Sequence, residues 1–210
     1  MYRLYYAPGA ASLAVHWLLI DLGVPFEAVR LDLGAGQHKH PDYLKLNPNG
    51  LVPTLVIEGT PVYECAALLL LLAERHPQAA LAPAPGSVER LAYLQWMTHL
   101  SNTVQAAFRG WFHPEEVLGE QAAPGIREFS RAQVEGAWGR IDAQLSASGG
   151  YIAGSRPSAA DFLATMLVRW SRNMPRPGTE WPAIRDYVAR MKARPSFATL
   201  YEREGLTEWA

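Results

Sequence analysis

The chain has 210 residues, 49% of them apolar, and a formal charge of -1. That length can bury the core of one large domain or two small ones. The balanced charge gives no electrostatic reason to expect nucleic acid or an anionic membrane surface as partner.

Cysteine use and hydropathy narrow the class further. A single cysteine, Cys65, excludes an internal disulfide and a CxxC site. The longest apolar run, Ala66 to Ala73, is too short to span a bilayer. No basic segment followed by an apolar one opens the chain, so no secretory signal is visible and a cytoplasmic protein is expected.

In chain order, "RLYYA" reads as a short strand, broken by Pro8 and Gly9. Ser12 then stands where an N-cap would, before the helix-length run "LAVHWLLIDLG". "FEAVRLDL" alternates as a second strand. "GAGQHKHPDYLKLNPNG" reads as a polar loop with one helical turn at "PDYLKL". "LVPTLVIEG" and "TPVYE" form two strands joined at Glu58-Gly59, and "CAALLLLLAERHP" is an apolar helix stopped by Pro77. The order is β-α-β-α-β-β-α over residues 1–77. An Ala/Pro-rich linker at 78–86 is expected to lead into an all-helical domain at 87–210.

In that second half, Ser87 to Arg109 is helical by period, with Leu91, Leu94 and His99 or Leu100 as its apolar positions. "GIREFSRAQVEGAWGRIDAQLSAS" is a long amphipathic helix with Phe129, Val134, Trp138, Ile141 and Leu145 on its apolar side. "SAADFLATMLVRWSRN" is an apolar helix, and "WPAIRDYVARMKARPSF" a shorter exposed one.

Metal, phosphate and acyl-transfer motifs are missing. "HKH" at His38 to His40 has no third ligand at metal spacing. "GAG" at Gly34 to Gly36 is a weak match to a phosphate loop, and there is no GxSxG elbow. Three other places carry chemistry. The "YYAPGAAS" turn precedes a helix N-terminus, whose free N–H groups favour a thiolate, with Tyr6 and Ser12 as hydroxyl donors. Taken alone, the same pattern fits a serine capping its own helix and a tyrosine in the core. In "NPNGLVPTL", a cis Val52-Pro53 bond would turn the Val52 backbone toward a peptide lying alongside. In "YECAAL", Glu64 could accept from a ligand ammonium, or serve simply as a favourable first-turn charge.

Together these segments resemble the cytosolic glutathione transferases over the whole chain. "YYAPGAASLAVHWLL" is most similar to the bacterial beta class, "GLVPTL" to the family's cis-proline strand, and "SAADFLATML" to its second-domain capping box of Ser158 and Asp161. The resemblance implies a thioredoxin-like α/β domain, βαβαββα, followed by an all-α domain. It implies conjugation of the glutathione thiolate to a small apolar electrophile, with glutathione as co-substrate, no metal or other cofactor, and a homodimer as the working form. An isomerase, a peroxidase or a non-catalytic binder of the same fold are the alternatives.

Carried over, the resemblance puts Ser12 first and Tyr6 second as thiolate partners. Glutathione would lie against Ala11, His38, Leu51, Val52, Pro53, Glu64 and Cys65, with Thr98 at the position from which the class reaches across its dimer. The electrophile would meet Gln105, Phe108, Arg109, Phe112 and Trp170. Three positions depart from the class: Ala11 replaces its cysteine, Gln105 its second-domain histidine, and Cys65 the usual serine.

Overall fold

The computed structural model describes residues 1–209. It divides into two compact units: Met1–Ala82 together with the chain from Lys192 onward, and Pro83–Met191.

The first unit is built on a four-stranded mixed sheet. Its strands are β1 (Tyr2–Tyr6), β2 (Phe26–Arg30), β3 (Thr54–Ile57) and β4 (Thr60–Tyr63), in the order β2-β1-β3-β4. β1 runs parallel to β2 and antiparallel to β3, and β3 is antiparallel to β4. Both residues of the β3–β4 turn, Glu58 and Gly59, have positive φ, the geometry that matches strand twist in a two-residue hairpin. Helices α1 (Leu13–Asp21), α2 (Pro41–Leu44) and α3 (Cys65–Arg75) complete the βαβαββα order expected from the sequence.

Side chains on β1 alternate between the two faces of the sheet. Leu4 and Tyr6 are buried toward α1, where the Tyr6 ring lies 4.7 Å from that of His16. Tyr5 turns to the other face and meets Tyr43 of α2, ring to ring at 5.6 Å.

The second unit holds α4 (Val88–His99), a π-helical turn at Leu100–Gln105, α5 (Ala106–Phe112), α6 (Glu115–Leu118), α7 (Ala123–Ser148), α8 (Ala159–Trp170) and most of α9 (Pro182–Lys192). The α8 capping box forms. Asp161 Oδ2 accepts from the Ser158 N–H at 2.7 Å and from its hydroxyl at 2.9 Å, while Oδ1 takes the Ile152 N–H.

Four expectations are corrected here. The helix expected over Ser87 to Arg109 contains the π-helical turn, and its buried side is Tyr93, Met97, Leu100, Val104 and Phe108. Leu91 and Leu94 face outward instead. Phe129 is 61% exposed, so the apolar side of α7 begins at Ser130 and Val134. The final stretch is two helices rather than one, because Pro195 cannot continue α9 and instead opens α10 (Pro195–Glu204). Ile184, Tyr187, Val188 and Met191 of α9 are buried, so that helix is not an exposed one.

α10 packs on α1 within the first unit. Arg194 forks onto Asp21, with Nε–Oδ1 at 3.0 Å and Nη2–Oδ2 at 2.6 Å. Trp17 Nε1 donates to Ser196. No helix among the described residues is long and apolar enough to cross a membrane.

Candidate active site

The site is assembled by sheet register. Tyr5 pairs with Thr54, and Thr54 with Tyr63. One residue further along, Tyr6, Pro53 and Glu64 therefore lie in a row across the ends of β1, β3 and β4. Tyr6 thereby meets two residues that lie 47 and 58 positions further along the chain. Val52 packs with Ala7, Ala10, Leu31, Tyr5 and Tyr43, so the turn before α1 and the residue before the proline share one apolar patch.

The Val52-Pro53 bond is cis. The 51–54 segment is held from beneath by a buried polar network that sequence reasoning missed. Asn47 donates to the Leu51 carbonyl at 2.8 Å and to Thr54 Oγ1 at 3.2 Å, while its own Oδ1 takes the Asn49 N–H. The Tyr43 hydroxyl reaches the same Leu51 carbonyl and lies 2.7 Å from Thr54 Oγ1. Gly50, at φ 58, closes the turn; a Cβ there would come within 2.9 Å of the His38 carbonyl oxygen. The one signal for this network was "NPNG" itself, an Asn/Gly turn whose first Asn can bond its own backbone. The Val52 N–H and C=O make no hydrogen bond among the described residues. Leu51 projects into solvent beside it, 51% exposed.

Glu64 opens α3 at φ 77, a conformation that costs a non-glycine residue energy and is typically kept at functional positions. Its carboxylate is exposed. Cys65 behind it is buried, and burial together with the neighbouring Glu64 pushes its thiol up to about 12. It therefore stays an S–H and is no nucleophile. What the Cys65 position offers a ligand is its backbone N–H at the head of α3.

Ser12 differs from expectation. It is fully buried and does not cap α1; its hydroxyl accepts the Ala7 N–H at 3.1 Å and donates to the Ala7 carbonyl at 3.2 Å. Its one proton is thus committed to tightening the turn, and a sulfur could receive it only if that bond broke. Tyr6 is buried against His16 on the α1 side. Burial, then the Glu204 charge, raise its phenol, which stays protonated. The Ala11 and Ser12 N–H groups donate to nothing among the described residues, and both stand at the mouth of α1. His38 is half-buried in the 3-10 turn Gln37–Lys39. Its Nδ1 is shielded without a partner, and burial, then Lys39, lower its basicity.

The second-unit candidates fall into two groups. Phe108 is buried and stacks on Phe112 at 5.6 Å and 19°, and Trp170 meets both rings edge-on at 5.5 and 5.8 Å. Arg109, on the next position of α5, pairs with Glu116. Gln105 closes the π-helical turn, half-buried, and Thr98 is exposed on α4.

The chain also matches known proteins along most of its length. Residues 1–74 match the N-terminal domain model of glutathione S-transferase, and residues 95–190 its C-terminal domain model. Glutathione S-transferase GST-4.5 of Xanthomonas campestris is 29% identical over 97% of this chain and 99% of its own. Maleylacetoacetate isomerase of Pseudomonas aeruginosa is 30% identical, covering 93% of each. Among solved structures, the bacterial beta class transferase of Sphingomonas chungbukensis is 31% identical with a TM-score of 0.85, over 98% of this chain and 100% of that one. A sphingomonad glutathione S-transferase complexed with glutathione is 29% identical, with a TM-score of 0.84 over 98% and 100%. The chain belongs to the glutathione S-transferase family, and its structural neighbours include a bacterial beta class member.

Proposed function

We propose that this protein binds glutathione in its first unit and transfers the thiolate to a small apolar electrophile. The observation that carries this reading is the apolar cluster shared by Val52 and Ala7, with Ala10 packed against it, which brings the unpaired Val52 N–H and C=O to the turn before α1. A cysteinyl backbone paired with Val52 in β fashion would leave its sulfur beside the Ala11 and Ser12 N–H groups. The γ-glutamyl end would reach Glu64 with its ammonium and the N-terminus of α3 with its carboxylate.

A free thiol titrates near ~8.5, and lowering that by about two units needs roughly 2.7 kcal/mol. Two charge-assisted N–H bonds at about 1.5–3 kcal/mol each supply it without a basic side chain. In this reading Ser12 acts through the turn, by fixing Ala7, and Tyr6 is the remaining hydroxyl candidate. The thiolate then attacks an electrophilic carbon and expels the leaving group; the chemistry asks for no cofactor beyond the co-substrate.

The electrophile is read as meeting Phe112 and Trp170. A homodimer is favoured by the exposed apolar side of α4, where Val88 and Leu91 are 79% and 70% exposed and Thr98 follows Leu94 by one turn. Calorimetry with glutathione and a conjugation assay with a halonitroarene test the reading. No uptake at millimolar glutathione would end it. Uptake without conjugation, but with turnover of a cis-olefinic substrate or a hydroperoxide, would move it to an isomerase or a peroxidase.

A further inference from the structure

Residues 108–116 set a cation beside an aromatic face and then cancel it. Arg109 precedes Phe112 by three positions on α5, so the two share one side of the helix. Phe112 is the outward ring of the stack, 44% exposed over buried Phe108 and flanked by Trp170. The guanidinium that would otherwise colour this face positive donates through Nη2 to Oε2 of Glu116. The other oxygen of that carboxylate lies 3.7 Å from His113 Nδ1, which also stands 3.8 Å from Glu115. On α8, Arg169 is buried, and Arg172, just past the end of that helix, donates to the Arg169 carbonyl.

We infer that Glu116 determines specificity by keeping Arg109 neutralised beside Phe112, so that this face takes flat, uncharged aromatic compounds over the same frameworks bearing a sulfonate or carboxylate. Edge-to-face and stacked rings favour a planar arene, and the Glu116 carboxylate offsets the positive charge by which Arg109 would attract an anion. The inference rests on the electrophile site proposed above, but it is testable without turnover.

The test uses two dyes of one framework, neutral phenylnaphthylamine and anionic anilinonaphthalene sulfonate, titrated by fluorescence into the full chain. The wild type is expected to favour the neutral dye. Glu116→Gln should lower the neutral-to-anionic affinity ratio about fivefold, the scale of one unmasked charge at contact distance in water. Adding Arg109→Gln to that variant should restore the ratio, and salt should shrink the shift. An unchanged ratio in Glu116→Gln, or a wild type that prefers the sulfonate, overturns the inference. A shifted ratio in a protein that conjugates nothing leaves it standing and removes the transferase reading instead.

Discussion

The carboxylate of Glu204, in the last helix, accepts the backbone N–H of Gly9 at 2.8 Å, tying α10 to the turn that precedes α1. Its other oxygen lies 2.8 Å from Nδ1 of His16, and both side chains are fully buried. A turn expected to hold a sulfur is thereby pinned from behind by a residue 195 positions away.

Removing one member of a buried, charged hydrogen-bonded set strands the others. Glu204→Ala is expected to cost about 3–5 kcal/mol of stability. Glu204→Gln, which keeps one acceptor, should cost less, about 1–3 kcal/mol. Urea midpoints of the two variants measure this. If the turn matters to glutathione, the milder variant raises KM for glutathione several-fold while KM for the electrophile stays put.

Asn47 is the second support, from within the same loop that it holds. Asn47→Ala leaves the Leu51 carbonyl and the Thr54 hydroxyl with the Tyr43 hydroxyl alone. The expected loss is about 1–3 kcal/mol of stability, the cost of unsatisfied buried groups. Glutathione affinity should fall with it, because the Val52 backbone is held by this network. Calorimetry on Asn47→Ala and Asn47→Asp separates the two effects; unchanged affinity in both would detach the network from the site.

The buried Cys65 thiol, pushed up to about 12, is expected to be silent toward thiol reagents in the native state at mildly alkaline pH. Labelling with a chromogenic disulfide should appear only on addition of denaturant. Prompt labelling of the folded protein would contradict the burial of Cys65. For the same reason Cys65→Ser should still bind glutathione.

Acid should weaken the fold through two histidines. His38 and His99 are both lowered from an ordinary value of 6.5, each first by burial and then by a neighbouring cation, Lys39 and Arg140 respectively. The unfolded chain therefore takes up protons before the folded one does. Stability is complete above about pH 6.5 and declines as pH falls through the depressed folded values. His99, whose Nε2 is buried without a partner, gives the cleaner probe. His99→Gln should flatten the fall in thermal midpoint between neutral and mildly acidic pH. An unchanged slope would assign the acid sensitivity elsewhere.

Local pattern carried most of the fold. The β-forming residues of "RLYYA", the alternation of "FEAVRLDL", the Glu58-Gly59 turn and the Ser158–Asp161 box are properties of a few adjacent residues, and each element stands where they place it. The same locality explains the misses. Period alone does not tell which side of a helix will be covered: it points to Leu91 and Leu94, while Tyr93 and Met97 are the buried pair. A serine before a helix reads as a cap, yet a residue five positions back claimed its hydroxyl.

The sequence by itself determined the elements, the family and the residue types at the site, because propensities, turn chemistry and motif spacing act over a handful of neighbours. Only the tertiary structure decided what those residues are free to do. Whether a proton, a charge or an N–H is available depends on the partner each group meets in the folded chain: Ala7 for Ser12, Glu204 for Gly9, Asn47 for the Leu51 carbonyl and Glu116 for Arg109. Hydrogen-bonding capacity is finite, and folding allots it.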